Sequence, residues 1–205
     1  MVRMIAVRDV FETNCYFYID EKTKHGFLID AGAQGKEIAG LIREHGWVIE
    51  KILLTHGHFD HTGGIEELIS LIPIPVHAYE GADRYLSNTH LNLSRYCDRD
   101  VVIRHVHYFH DRERISLKAN PDFYLDVIYV PGHTEDSCMF YNEVDHICFV
   151  GDTIFKGSIG NPNYPGGDLR VLQESISKKI FTLPEDTILL SGHSGPTTVG
   201  EEKRR

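Results

Sequence analysis

Short, nearly unbroken apolar runs recur along the chain, and each stops at a small residue with a histidine or aspartate beside it. Phe27-Leu28-Ile29 ends at Asp30, Lys51-Ile52-Leu53-Leu54 at Thr55-His56, and Phe123 to Val130 at Pro131-Gly132-His133. Ile147-Cys148-Phe149-Val150 ends at Gly151-Asp152, and Ile188-Leu189-Leu190 at Ser191-Gly192-His193. Runs of this length without polar alternation predict buried strands. Between them apolar positions take a helical period. Ile38, Leu41, Ile42 and His45 share one face of a helix over Gly35 to Gly46, with Gly46 as its C-cap and His45 packed at its end. Ile65 to Leu71 is a second helix, stopped by Pro73 and Pro75. A third runs from Asp168 to Phe181, with Asp168 as N-cap and Val171, Leu172, Ser175, Ile176 and Lys179 on one face.

Met4 to Val7, Cys15 to Ile19 and Gly26 to Ile29 predict an N-terminal meander, with turns at Glu12-Thr13-Asn14 and at Asp20 to Lys24. Asn14 reads as a turn residue. Val76 to Ala78 and Glu113 to Leu117 read as strands, and Glu80 to Leu86 as a short helix. Ser87 to Val106 is polar and aperiodic, and reads equally as a lid over a cleft or as a solvated excursion. His105, His107 and His110 alternate with Val106 and Tyr108, which predicts a strand with histidine on its outer face rather than a ligand cluster. Strands alternating with helices imply a mixed α/β (α+β) class, with sheets covered by helices.

The stretch Thr55-His56-Gly57-His58-Phe59-Asp60-His61 stands apart, because packing alone does not need so many metal-capable side chains together. It falls between a strand and a helix, where a rigid scaffold holds a tight loop. Imidazole and carboxylate suit zinc and non-haem iron. His56 and His58 point the same way on an extended backbone and can grip one ion. Asp60 and His61 are adjacent and can diverge toward a second.

Composition narrows the setting. The 205 residues suit one domain spanning 1–205, with an ordinary apolar content of 41%. A net charge of −9 disfavours nucleic acid as a partner, while nothing in the sequence sets the oligomeric state. Cys15, Cys97, Cys138 and Cys148 show no metal or disulfide spacing and read as small, reduced hydrophobes of a cytoplasmic protein. Met1 to Val10 lacks the apolar core of an export signal, and no run approaches the ~20 residues of a membrane span.

The order His56-x-His58-x-Asp60-His61, then His133, Asp152 and His193, resembles the metallo-β-lactamase superfamily in its glyoxalase II-like branch, over nearly the whole chain. The ending Gly192-His193-Ser194-Gly195-Pro196-Thr197 resembles that branch too. The resemblance implies a four-layer αββα sandwich with the site at one edge between the sheets. It implies two divalent ions, zinc before iron or manganese. His56, His58 and His133 would hold one, Asp60, His61 and His193 the other, with Asp152 bridging and Asp30 steadying the histidine loop from behind. A metal-bridging hydroxide would then attack the carbonyl of a small-molecule thiolester or related acyl ester, and Asp60 would orient it and relay its proton.

Departures from the branch matter. Glu135-Asp136 replaces a common Pro-Gly, and either opens the next turn or repels an anionic substrate. Glyoxalase II proper has Lys and Tyr where this chain has Asn161 and Asn163, with Tyr164 one place on. Its separate C-terminal helical domain is not expected here. Glutathione specificity therefore does not carry over, and Lys156 and Tyr164 are the candidates for touching substrate. A β-lactamase proper is disfavoured by Asp152, where that branch typically has Cys. The alternative from another reaction class is a mononuclear iron persulfide dioxygenase, with His56, His133 and Asp152 as its triad.

Overall fold

A computed structural model describes residues 1–205. The chain starts with strands β1 (Val2–Arg8), β2 (Glu12–Ile19) and β3 (His25–Ile29), then helix α1 (Gly35–His45) and strand β4 (Val48–Leu53). Helices α2 (Phe59–Thr62) and α3 (Ile65–Leu71), strand β5 (Val76–Tyr79), helix α4 (Asp83–Leu86) and strands β6 (Val106–Phe109), β7 (Arg114–Ser116) and β8 (Tyr124–Tyr129) follow. Strands β9 (Cys138–Asn142), β10 (Ile147–Gly151), β11 (Ile154–Phe155) and β12 (Ser158–Ile159) lead to helix α5 (Leu169–Ser175). Strands β13 (Ile188–Ser191) and β14 (Thr197–Thr198) and helix α6 (Val199–Lys203) complete the order.

One sheet runs β1-β2-β3-β4-β5-β6 and the other β14-β13-β10-β9-β8-β7. Three apolar clusters divide the molecule into four layers. Tyr16, Tyr18, Phe27, Ile29, Leu53 and Phe109 meet Leu125, Val127, Phe140, Phe149 and Leu190 between the sheets. Cys15, Phe17, Ile19, Leu28, Ile52 and Leu54 pack outward on Ile38, Ala39 and Ile42 of α1 and Ile65 and Leu68 of α3. Met139, Cys148, Val150 and Leu189 pack outward on Leu172, Ile176, Ile180 and Val199. Each central strand thus feeds alternate residues into two cores, which is why its sequence is apolar without alternation. The layering is the αββα sandwich of the metallo-β-lactamase fold.

Several local expectations shift. Glu12 to Asn14 belong to β2 rather than to a turn, which lies at Asp9 to Phe11. Asn14 is buried because its amide donates to the carbonyls of Ser191 and Ser194 at 2.9 and 2.8 Å. The expected tight metal loop contains a helical turn, α2, too short to show a period. Helix α4 starts later than Glu80, after Gly81 at φ 88°. Asp168 does cap α5, accepting from the Val171 amide, but the helix widens to π geometry over Ile176–Ile180. His107 is exposed on β6, where it pairs in register with His77, and His105 and His110 flank the strand, also exposed. The 87–106 segment holds a 3-10 turn at Ser94–Cys97. All four cysteines are free, and no helix is long and apolar enough to cross a membrane.

Candidate metal centre

The ends of β3, β4, β10 and β13 carry Asp30, the His56 loop, Asp152 and His193 to one place. His133 arrives on the turn after β8, where Gly132 takes φ 129° and packs so tightly on Leu172 that a Cβ would collide with its backbone. Three groups of donors converge there: His56 with His58 and His133, His56 with His61 and Asp152, and Asp60 with His61 and His193.

The geometry follows from how each ring is held. His61 Nδ1 faces Asp30 Oδ2 at 2.9 Å, His133 Nδ1 the Asn161 carbonyl at 2.9 Å, and His193 Nδ1 the Glu12 carbonyl at 2.7 Å. These partners only accept, so each Nδ1 carries a hydrogen, and a neutral ring then leaves Nε2 as a lone pair. His56 Nδ1 lies 3.2 Å from Thr55 Oγ1, which itself donates to Asp30 Oδ2 at 2.7 Å. Asp30 therefore orients one ring directly and a second through Thr55, and also accepts from the Thr55 amide at 2.9 Å. The free nitrogens then face one another. His58 Nδ1 is 3.1 Å from both His56 Nε2 and His133 Nε2, and His61 Nε2 is 3.4 Å from His193 Nε2. Nitrogens so placed need a proton or a metal cation between them. A tetrahedral ion with nitrogens at about 2.0–2.1 Å sets its ligands about 3.3 Å apart.

Asp152 lies between the groups. Its Oδ1 is 3.3 Å from His61 Nε2, and its Oδ2 is 3.3 Å from His193 Nε2 and 3.6 Å from His133 Nε2. Asp152 Oδ1 is buried yet accepts no well-directed hydrogen bond. Asp60 Oδ2 is 3.1 Å from His193 Nε2. The two sides differ in charge. Burial pushes His56 well below the usual imidazole range and His58 down to about 3, so these rings are neutral, as metal ligands must be. Burial opposes charge at His61 also, but Asp152, Asp30 and Asp60 override it and raise this ring well above its ordinary value. The same contest lifts His193 to about 10, through hydrogen bonds to Asp152 and Asp60. The carboxylates draw positive charge to that side, as protons or as a metal ion. Facing nitrogens, anchored outer edges and a buried unsatisfied carboxylate oxygen fit a divalent metal.

A cavity of about 290 Å³ opens over the donors, lined by Phe11, Glu12, His58, Phe59, Asp60, Leu93, His133, Asp152, Phe155, Asn161, Tyr164 and His193. Leu93 brings the 87–106 segment to the site, and Asn92 of that segment accepts from the Phe59 amide at 2.9 Å. Of the two candidate substrate residues, Tyr164 lines this cavity, whereas Lys156 is exposed and outside its lining. Glu135 pairs with Arg84 at 2.5 Å on the surface, and Asp136 is buried behind the loop against Gly57. Thr55 and the carbonyls of Glu12 and Asn161 were not anticipated; only Thr55, adjacent to His56, had a signal in the sequence.

Residues 8–193 match the family model of the metallo-β-lactamase superfamily. The chain belongs to that superfamily. It is 33% identical to the probable metallo-hydrolase YqgX of Bacillus subtilis (strain 168), over 94% of this chain and 90% of that one. It is 29% identical to the hydroxyacylglutathione hydrolase GloC of Haemophilus influenzae, covering 95% and 91%. Among solved structures, the BLEG-1 B3 metallo-β-lactamase superposes with a TM-score of 0.92 at 30% identity, over 100% of this chain and 97% of that one. TTHA1623, solved in a di-iron-bound form, gives 0.87 at 27%, covering 98% and 97%. The chain thus carries the superfamily's fold together with a histidine–aspartate cluster suited to divalent ions.

Proposed function

We propose that the chain is a cytoplasmic binuclear hydrolase of thiolesters or related acyl esters, glyoxalase II-like in its chemistry, with residues 1–205 working as one domain. The observation that carries this reading is the position of Asp152, whose carboxylate stands between two complete donor groups. His56, His58 and His133 would hold one ion, Asp60, His61 and His193 the other, and Asp152 both. Zinc is the first choice of metal, with iron or manganese as alternatives. When bound, such a pair supplies a water nucleophile at neutral pH and Lewis-acid stabilisation of a developing oxyanion.

The chain's own residues do the rest. The cavity lining has no serine or cysteine to form an acyl-enzyme, which leaves water as the nucleophile of this reading. Asp60, in that lining, is placed to take the proton of the attacking water. The water oxygen bonds to the acyl carbon, the C–S bond breaks with its electron pair on sulfur, and the proton held by Asp60 passes to the thiolate. Asp30 and the carbonyls of Glu12 and Asn161 hold the rings so that no reorientation is needed during the reaction. Asp60→Asn should lower kcat by about 10²-fold or more; unchanged turnover at unchanged metal content would remove the proton-transfer role.

The deciding experiment is metal content of protein purified without chelator, followed by a panel of thiolesters. A β-lactam belongs in the panel because BLEG-1 is 30% identical. About two metal equivalents with thiolester turnover supports the reading. One equivalent of iron with persulfide-dependent oxygen uptake would replace it with the mononuclear dioxygenase.

A further inference from the structure

The walls of the cavity carry chemistry that hydrolysis alone does not use. Phe11 and Phe59 stand with ring centroids 6.0 Å apart, and Leu93 lines the same space. Tyr164 presents an edge to His58 at 5.7 Å and to His133 at 6.2 Å, while Phe155 faces His193 at 6.0 Å. Phe11 is 48% exposed and Tyr164 39% exposed, so the rim is apolar surface left open to solvent. Covering it with an apolar group is favourable by the area removed from water. The volume of about 290 Å³ is at the lower end of small-molecule sites, about 300–1,000 Å³.

The cavity is equally defined by its charges. Its lining holds Glu12, Asp60 and Asp152 and no lysine or arginine. Arg99 comes from the same segment as Leu93, but its Nε and Nη2 are both taken by Asp9, each at 2.7 Å. With Asp30 behind the histidines, four carboxylates would just balance two divalent ions. Nothing is left over to pair with carboxylates on a substrate's carrier. Such groups would be desolvated against phenyl rings without a partner, which is costly.

Taking the hydrolase reading above as given, we infer that the site selects thiolesters that join a small apolar acyl group to an uncharged thiol, and discriminates against carriers bearing carboxylates. The acyl group sits against Phe11, Phe59 and Leu93. Asp60 and Asp152, in a lining without any cation, supply the repulsion.

The test compares kcat/KM for four probes on the metal-loaded full chain: the acetyl and benzoyl thiolesters of N-acetylcysteamine, which is neutral, and of glutathione, which carries two carboxylates. We expect the neutral carrier to be preferred by about tenfold or more with either acyl group. Glu12→Lys should narrow that ratio. Phe11→Ala and Leu93→Ala should each raise KM for the benzoyl ester by about tenfold while changing the acetyl ester less. Equal or better turnover of the glutathione esters overturns the carrier inference alone. An unchanged benzoyl-to-acetyl ratio in both apolar variants overturns the acyl assignment alone. Failure to cleave any of the four, with two metals bound, overturns this inference and the thiolester reading together.

Discussion

The protein has two histidine-rich regions, and only one is built as a metal centre. His56, His58, His61, His133 and His193 point free nitrogens at shared foci, because oxygen acceptors hold the outer edges of four of the rings. His77 and His107 are also neighbours, in register on β5 and β6, but their rings stack face to face at 5.0 Å. His77 Nδ1 is buried with no partner, Lys51 adds positive charge nearby, and His110 turns away to Glu80 at 2.9 Å. Spacing brings imidazoles together in both places. What makes a ligand is the acceptor behind the ring, which decides where its lone pair points.

The comparison can be broken most sharply by removing one ring from each region. His133→Ala should lose about one metal equivalent and at least about 10³-fold in kcat/KM, while His107→Ala keeps both. Metal analysis and turnover on the two variants, with a melting curve to confirm folding, check this. Equal loss in both would mean that the stacked pair is a site as well. Asp30→Ala tests the acceptor itself. It should weaken metal affinity by about 10–100-fold without removing a ligand, as chelator competition would measure. If affinity is unchanged, ring orientation is set by packing.

The smallest effect distinguishes the regions by pH. Burial, with His107 and Lys51 adding to it, lowers His77 to about 4. The folded protein then binds fewer protons than the unfolded chain between about pH 6.5 and 4. Stability from this ring is complete above pH 6.5 and is lost as pH falls toward 4. The ring is partly open to solvent, so screening limits the effect to about 1 kcal/mol. Unfolding of the wild type and of His77→Phe at pH 7 and pH 4.5 should show a shallower acid slope in the variant. Parallel slopes would remove His77 from the account.

The same contrast explains what could be read from the sequence. Donor side chains announce themselves: the histidines and aspartates expected at the centre converge there, most of them just beyond an apolar strand, with Asp60 and His61 on the short helix α2. The acceptors do not. The carbonyls of Glu12 and Asn161 belong to residues whose side chains say nothing of the role. Asn14 looked like a turn residue because asparagine favours turns, yet its amide has partners supplied by residues far along the chain. The central strands were legible because both their faces are buried. The α2 turn and the π segment after α5 were not, since each depends on tertiary context within a few residues.

The bond from His193 to the Glu12 carbonyl spans 181 positions, and those from Asn14 to Ser191 and Ser194 span 177 and 180. Contacts this remote carry a large loop-closure cost and form late. On the ribosome, the stretch around His56 is made long before His193 emerges. A nascent or misfolded chain therefore lacks His193 and the carbonyl that seats it. The histidine–aspartate cluster is therefore complete only when both arms of the sandwich have closed.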